Sequence, residues 1–179
     1  TPREKRRPLL KRLLTLASLI LLLAPLTARA EEWRWGEIVR EELFSPYFAE
    51  TPDADAVVLL DHGIARVDDK MHLKFHRHVR TKIMTDKGMD RAVVRIPYPA
   101  EDEIKNFRAH TIVPPGNELK VEKQHIREET DPAGKVMVVT FPGAQMGAVL
   151  EWEYELRSDR IDVLPEWSFQ GRDPVRVSF

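Results

Sequence analysis

Strict alternation of apolar and charged residues is the feature that most constrains what this chain can fold into. Between positions 71 and 83 the odd residues Met71, Leu73, Phe75, Val79 and Ile83 are apolar, while the even residues His72, Lys74, His76, His78, Arg80 and Lys82 are basic or titratable. A period of two puts successive side chains on opposite faces of an extended strand, so one face enters a core and the other meets water or opposite charge. Only Arg77 and Thr81 interrupt the odd series. The same period returns near the end of the chain, where Leu150, Trp152, Tyr154 and Leu156 alternate with Glu151, Glu153, Glu155 and Arg157.

Between these runs lie shorter ones, separated by residues that turn the chain. Asp86-Lys87-Gly88 leads into Ala92, Val94 and Ile96, which predicts a hairpin between 71–83 and 91–97. Further strands are expected over 107–113, 118–126, 135–141 and 149–157. Clusters such as Pro114-Pro115-Gly116-Asn117 and Asp131-Pro132-Ala133-Gly134 supply fixed φ, positive φ and local acceptors at the turns. Helical spacing is confined to 35–44, where Trp35, Ile38, Val39 and Leu43 precede Ser45-Pro46, and to a single turn over 101–107. Many short strands without long intervening helices predict an all-β fold: an antiparallel, immunoglobulin-like β-sandwich with a short N-terminal helix.

The first thirty residues read differently. Lys5, Arg6, Arg7, Lys11 and Arg12 precede an apolar run over 13–26, and Ala28-Arg29-Ala30 follows. Fourteen residues make a helix about 21 Å long, short of a hydrocarbon core of about 30 Å. This order is that of a secretory signal peptide cleaved after Ala30, which places the remainder in the periplasm or outside the cell with no stable membrane span. The expected organisation is a signal peptide over 1–30, a lead-in with a short helix over 31–52, and a sandwich over 53–179 that is incomplete at its C-terminus. Of the 28 basic and 29 acidic residues, seven and one fall in the first thirty, leaving 21 against 28 and a formal charge of −7. That sign disfavours nucleic acid as a partner.

Chemistry is harder to place. The chain has no cysteine, which removes disulfides, Cys-ligated zinc and a thiol nucleophile. His72, His76 and His78 share one strand face and are weak metal candidates, but Lys74, Arg80 and Lys82 on that face oppose a cation, so a basic stripe is the plainer reading. Glu151, Glu153 and Glu155 can supply paired carboxylates for acid–base chemistry. More economically, this acidic face lies beside the basic stripe on one sheet, each pair worth about 0.2–1 kcal/mol. The pairs Trp33/Trp35 and Trp152/Trp167 can line a sugar or peptide groove, although large aromatics in a sandwich more often form core. Phosphate-cradling glycine loops, a nucleophile elbow and H-E-x-x-H are absent. No catalytic or cofactor-binding residue is assigned, and no cofactor is expected.

An ordered series of segments carries a family resemblance. It runs from Asp53-Ala54-Asp55-Ala56-Val57-Val58-Leu59-Leu60-Asp61 through Lys82-Ile83-Met84-Thr85-Asp86-Lys87-Gly88, Ile96-Pro97-Tyr98 and Ala109-His110-Thr111-Ile112-Val113-Pro114-Pro115-Gly116. It continues with Phe141-Pro142-Gly143, Gly147-Ala148-Val149-Leu150-Glu151-Trp152-Glu153-Tyr154, Trp167-Ser168-Phe169-Gln170 and Pro174-Val175. Over about 35–179 this resembles domain-of-unknown-function family 3857, found at the N-terminus of exported bacterial transglutaminase-like proteins. The resemblance implies a β-sandwich in front of a papain-like transglutaminase core, and no Cys-His-Asp core follows in this chain. The expected function is that of a non-catalytic exported accessory module whose partner is a transglutaminase-like domain or another envelope protein. A periplasmic glycan- or peptide-binding domain is the alternative, and a cysteine-free hydrolase a more remote one.

Overall fold

The alternating runs become neighbours in a sheet. The computed structural model describes residues 34–162, 164, 165, 167 and 171–179, within which Trp35–Phe179 forms one unit. The signal peptide over 1–30, its cleavage at Ala30 and Trp33 lie outside the described residues. A five-residue helix α1 (Arg40–Phe44) precedes eight strands: β1 (Ala56–Val67), β2 (Leu73–Ile83), β3 (Val93–Tyr98), β4 (Glu103–Val113), β5 (Asn117–Lys120), β6 (Ile126–Asp131), β7 (Gly134–Thr140) and β8 (Val149–Ser158). They form an antiparallel sandwich of a five-stranded sheet, ordered β1-β2-β8-β4-β5, and a three-stranded sheet, β3-β7-β6.

The two strongest alternating runs, β2 and β8, pair directly in the middle of the larger sheet. Their apolar faces meet the smaller sheet: Phe75, Val79, Leu150, Trp152, Tyr154 and Leu156 pack with Ile96, Tyr98 and Val139 in the main core. Burying one such large side chain contributes about 1.5–3 kcal/mol. A second, smaller cluster lies on the opposite face of the larger sheet. There the segment before β1 lays Leu43 and Phe48 onto Val57, Leu59, Ile112 and Val149. A bulge in β1 between Val58 and Leu60 re-phases the strand, so that Val57, opposite Lys82, and Asp61, opposite Val79, point to different faces of the sheet.

Four local expectations change. The hairpin between β2 and β3 does not form, since β3 belongs to the other sheet and pairs with β7. A 3₁₀ helix over Asp86–Ala92 carries the chain across instead. It packs so closely that a Cβ on Gly88 would lie 2.1 Å from the Asp55 carbonyl oxygen. The turn expected over 101–107 is the start of β4; Asn106, at φ 52°, and a register shift between Lys105 and Arg108 break the alternation there. The run 118–126 splits between β5 and β6, which sit in different sheets. The helix over 35–44 shortens to Arg40–Phe44, because Trp35-Gly36 forms a turn with Gly36 at φ 75° and Val39 is extended.

The larger sheet also gains a neighbour at its β1 edge. The end of the chain runs parallel to β1, with Val58 N–H donating to Pro174 O, Asp61 N–H to Val177 O and Gly63 N–H to Phe179 O, each at 2.9 Å. Residues 174–179 are therefore paired on the side facing β1, where an unpaired hydrophobic edge would favour self-association.

Candidate functional site

Charge alternation becomes charge complementarity once β8 is flanked by β2 and β4. Across the strand pairs, Glu151 faces Arg80 and His110, Glu153 faces His78 and Arg108, and Glu155 faces His76 and Lys105. The pattern inverts at Arg157, which faces Lys74 and Glu103. The acidic stripe and the basic stripe thus share one sheet surface.

One member of this ladder is unlike the others. Glu151 is fully buried, as is Arg80, and His78 and His110 are each 2% exposed. Its Oε1 accepts from His78 Nε2 at 2.6 Å and Arg80 Nε at 2.7 Å. Its Oε2 accepts from His110 Nε2 at 2.6 Å and the Gly36 backbone N–H at 3.0 Å. Both imidazoles donate through Nε2, since an ionised carboxylate only accepts. Burial by itself would raise the Glu151 pKa, yet the hydrogen bonds from His110 and His78 and the Arg80 charge outweigh it, holding the carboxyl well below its ordinary range.

A cover closes this cluster from solvent. The Trp35 ring stacks on His110 with centroids 4.4 Å apart and lies 5.9 Å from His78; the Arg108 guanidinium sits 4.3 Å from the same ring. Beside it, the Lys82 ammonium donates to the backbone oxygens of Glu42, Leu43 and Ser45 at 2.6, 2.8 and 2.8 Å. These are carbonyls at the C-terminal end of α1, where a cation is favoured. Burial pushes the Lys82 pKa down to about 8, with Glu42 pulling the other way.

The candidate metal ligands are not gathered. His72 faces Asp68 and Asp159, His76 faces Glu153 at 3.5 Å, and His78 is bonded to Glu151. Among the described residues no group of three His, Asp or Glu side chains is placed to hold a metal ion. Trp35 is the cover just described. Trp152 and Trp167 flank Arg77, whose guanidinium lies 5.7 and 5.1 Å from their rings.

Arg77 and its partner Asp61 are the residues that a sequence reading passes over. The pair is bidentate at 2.9 and 2.8 Å on the core side of the larger sheet. The only sequence signal was a cation at an odd position of an apolar face. Gly63, directly across from Arg77, leaves room for Trp167, since a Cβ there would lie 2.0 Å from its ring.

The model of a domain of unknown function with a solved structure, DUF3857, matches residues 70–178 of this chain. The chain belongs to the DUF3857 family. No curated protein matches it. Among solved structures the DUF3857 chain is similar to one described as a putative protease from Parabacteroides distasonis ATCC 8503. That similarity has a TM-score of 0.54 and 16% identity over 58% of this chain, but spans 23% of the other. It is a likeness of fold. Native yeast LTA4 hydrolase aligns with a TM-score of 0.37 and 13% identity, over 57% of this chain and 14% of its own.

Proposed function

We propose that this DUF3857 domain is a non-catalytic interaction module, exported by its N-terminal segment, that works beside a catalytic domain of the transglutaminase-like kind in the bacterial envelope. The observation that carries this reading is the sealed state of the Glu151 cluster. A catalytic acid or base must reach a proton on its substrate within hydrogen-bond distance, directly or through one water. Glu151 instead has both oxygens occupied by four donors beneath Trp35, and its carboxyl is held ionised. Such a cluster fixes a strap onto a sheet. The fold's recurrence as less than a quarter of a longer chain fits a domain that accompanies others.

Co-purification tests the proposal. Tagged chain expressed with a transglutaminase-like domain from the same envelope should retain it through washing, and the exported form should begin at Glu31 by intact mass. Failure to retain that domain, together with hydrolase activity abolished by Glu151→Gln, would overturn the reading.

A further inference from the structure

A cavity of about 620 Å³ opens between the sheets at the end of the sandwich where β2 begins and β8 ends. Its volume lies within the range of small-molecule sites. Trp152, Tyr154 and Leu156 form part of one wall, and Ile96, Tyr98 and Val136 part of the other. The Trp152 and Tyr154 rings are nearly parallel, at 9° and 5.8 Å. Burial and the bond to Glu128 raise the Tyr98 pKa, so its hydroxyl stays neutral.

The charged groups lining this cavity are unevenly satisfied. Arg77 reaches it, but Asp61 already neutralises that cation. Lys135 is half-buried, with its ammonium 5.9 Å from the Tyr98 ring; the Glu103 carboxylate feels its charge, but among the described residues no carboxylate lies within ion-pair distance of it. Arg160 adds a second cation whose carboxylate partners, Glu101 and Asp162, stand off at 3.6 Å. Asp102 lines the same cavity at 4% exposure, and its Oδ1 is buried without a hydrogen-bond partner. A buried acceptor left unpaired costs about 1–3 kcal/mol and calls for a donor from elsewhere.

We propose that the cavity binds a short peptide with apolar side chains and a free C-terminus. The terminal carboxylate pairs with Lys135 and Arg160, the side chains lie against Trp152 and Leu156, and a peptide N–H or terminal ammonium donates to Asp102. A neutral sugar can stack on the aromatic wall but brings no carboxylate into contact with Lys135. A fatty acid satisfies Lys135 but brings no donor to Asp102. A peptide answers both.

Titration of the purified chain with the tripeptide Ala-Leu-Phe, read by tryptophan fluorescence and by NMR shifts at Trp152 and Lys135, tests this. Saturable binding is expected, weakened about tenfold in Lys135→Glu and again when the peptide is amidated at its C-terminus, as loss of a charge-assisted contact requires. The melting temperature of Lys135→Glu is measured alongside, which separates lost binding from lost folding. Arg160→Glu, at an exposed site, should weaken binding in the same direction. Equal affinity for the acid and the amide, or no saturation, or tighter binding of a neutral disaccharide or of laurate, would each overturn the proposal.

Discussion

Glu151, Glu153 and Glu155 are equivalent in the sequence and very different in the molecule. Glu153 bonds Arg108 at 2.6 Å near solvent, an exposed kind of pair that is worth little. Glu151 has four donors and is shut off from solvent, so losing its charge takes this carboxylate away from the buried Arg80 guanidinium. Breaking a buried pair in this way costs about 3–5 kcal/mol. Glu151→Gln should therefore lower the melting temperature by about 10 °C, at about 2–4 °C per kcal/mol for a domain of this size. The pH dependence has a definite sign. The folded pKa lies below the unfolded value, so the stabilisation is fully present above about pH 4.3 and is lost as pH falls toward the folded value. Denaturant melts between pH 7 and pH 3 should show a steeper loss in the wild type than in Glu151→Gln; equal slopes would mean that the Glu151 carboxyl is not held ionised. Nothing local marks Glu151 out, because the Gly36 N–H that completes its bonding comes from 115 positions earlier.

At the scale of elements, the strand faces were legible and their partners were not. Alternation in β2 and β8 identified which side chains share a face, and the interruption at Arg77 marked the one cation on the apolar face of β2. What the interruption meant depended on β1, whose Asp61 supplies the carboxylate and whose Gly63 leaves space for Trp167. These residues form a packed unit, and a double-mutant cycle tests it. Gly63→Ala should cost about 1–3 kcal/mol in the wild type, because the added methyl overlaps the Trp167 ring. In a Trp167→Leu background the same change should cost far less, giving a coupling energy of about 1–3 kcal/mol by equilibrium unfolding. Additive effects would show that Trp167 does not rest against Gly63 in solution. The missed β2–β3 hairpin has a related origin: a short turn-forming sequence states where the chain bends, but not whether the next strand returns to the same sheet.

For the unit as a whole, the larger sheet is covered on both faces. The smaller sheet packs on one, and residues 35–50 cover part of the other through Trp35, Leu43, Phe48 and the carbonyls that hold Lys82. A chain beginning at Asp53 loses the burial of Leu43 and Phe48, about 1.5–3 kcal/mol each. It also leaves Lys82 and the Glu151 cluster facing water. Its melting temperature should fall by about 10–20 °C, with binding of the apolar dye ANS to the uncovered face. An unchanged melting temperature would show that the segment is a passive lead-in and not part of the domain.

The sequence by itself determined the all-β class, the two faces of the central strands and the opposite charge of the two stripes, because alternation and charge are properties of consecutive residues. Only the tertiary structure decided that the stripes lie side by side, that Glu151 alone is sealed under Trp35, that Arg77 meets Asp61 on the core side of the larger sheet, and that Lys135 and Asp102 line one cavity. Each of these depends on contacts between residues far apart in the chain. The free energy of such contacts is set by what covers them and not by the residues that flank them in sequence.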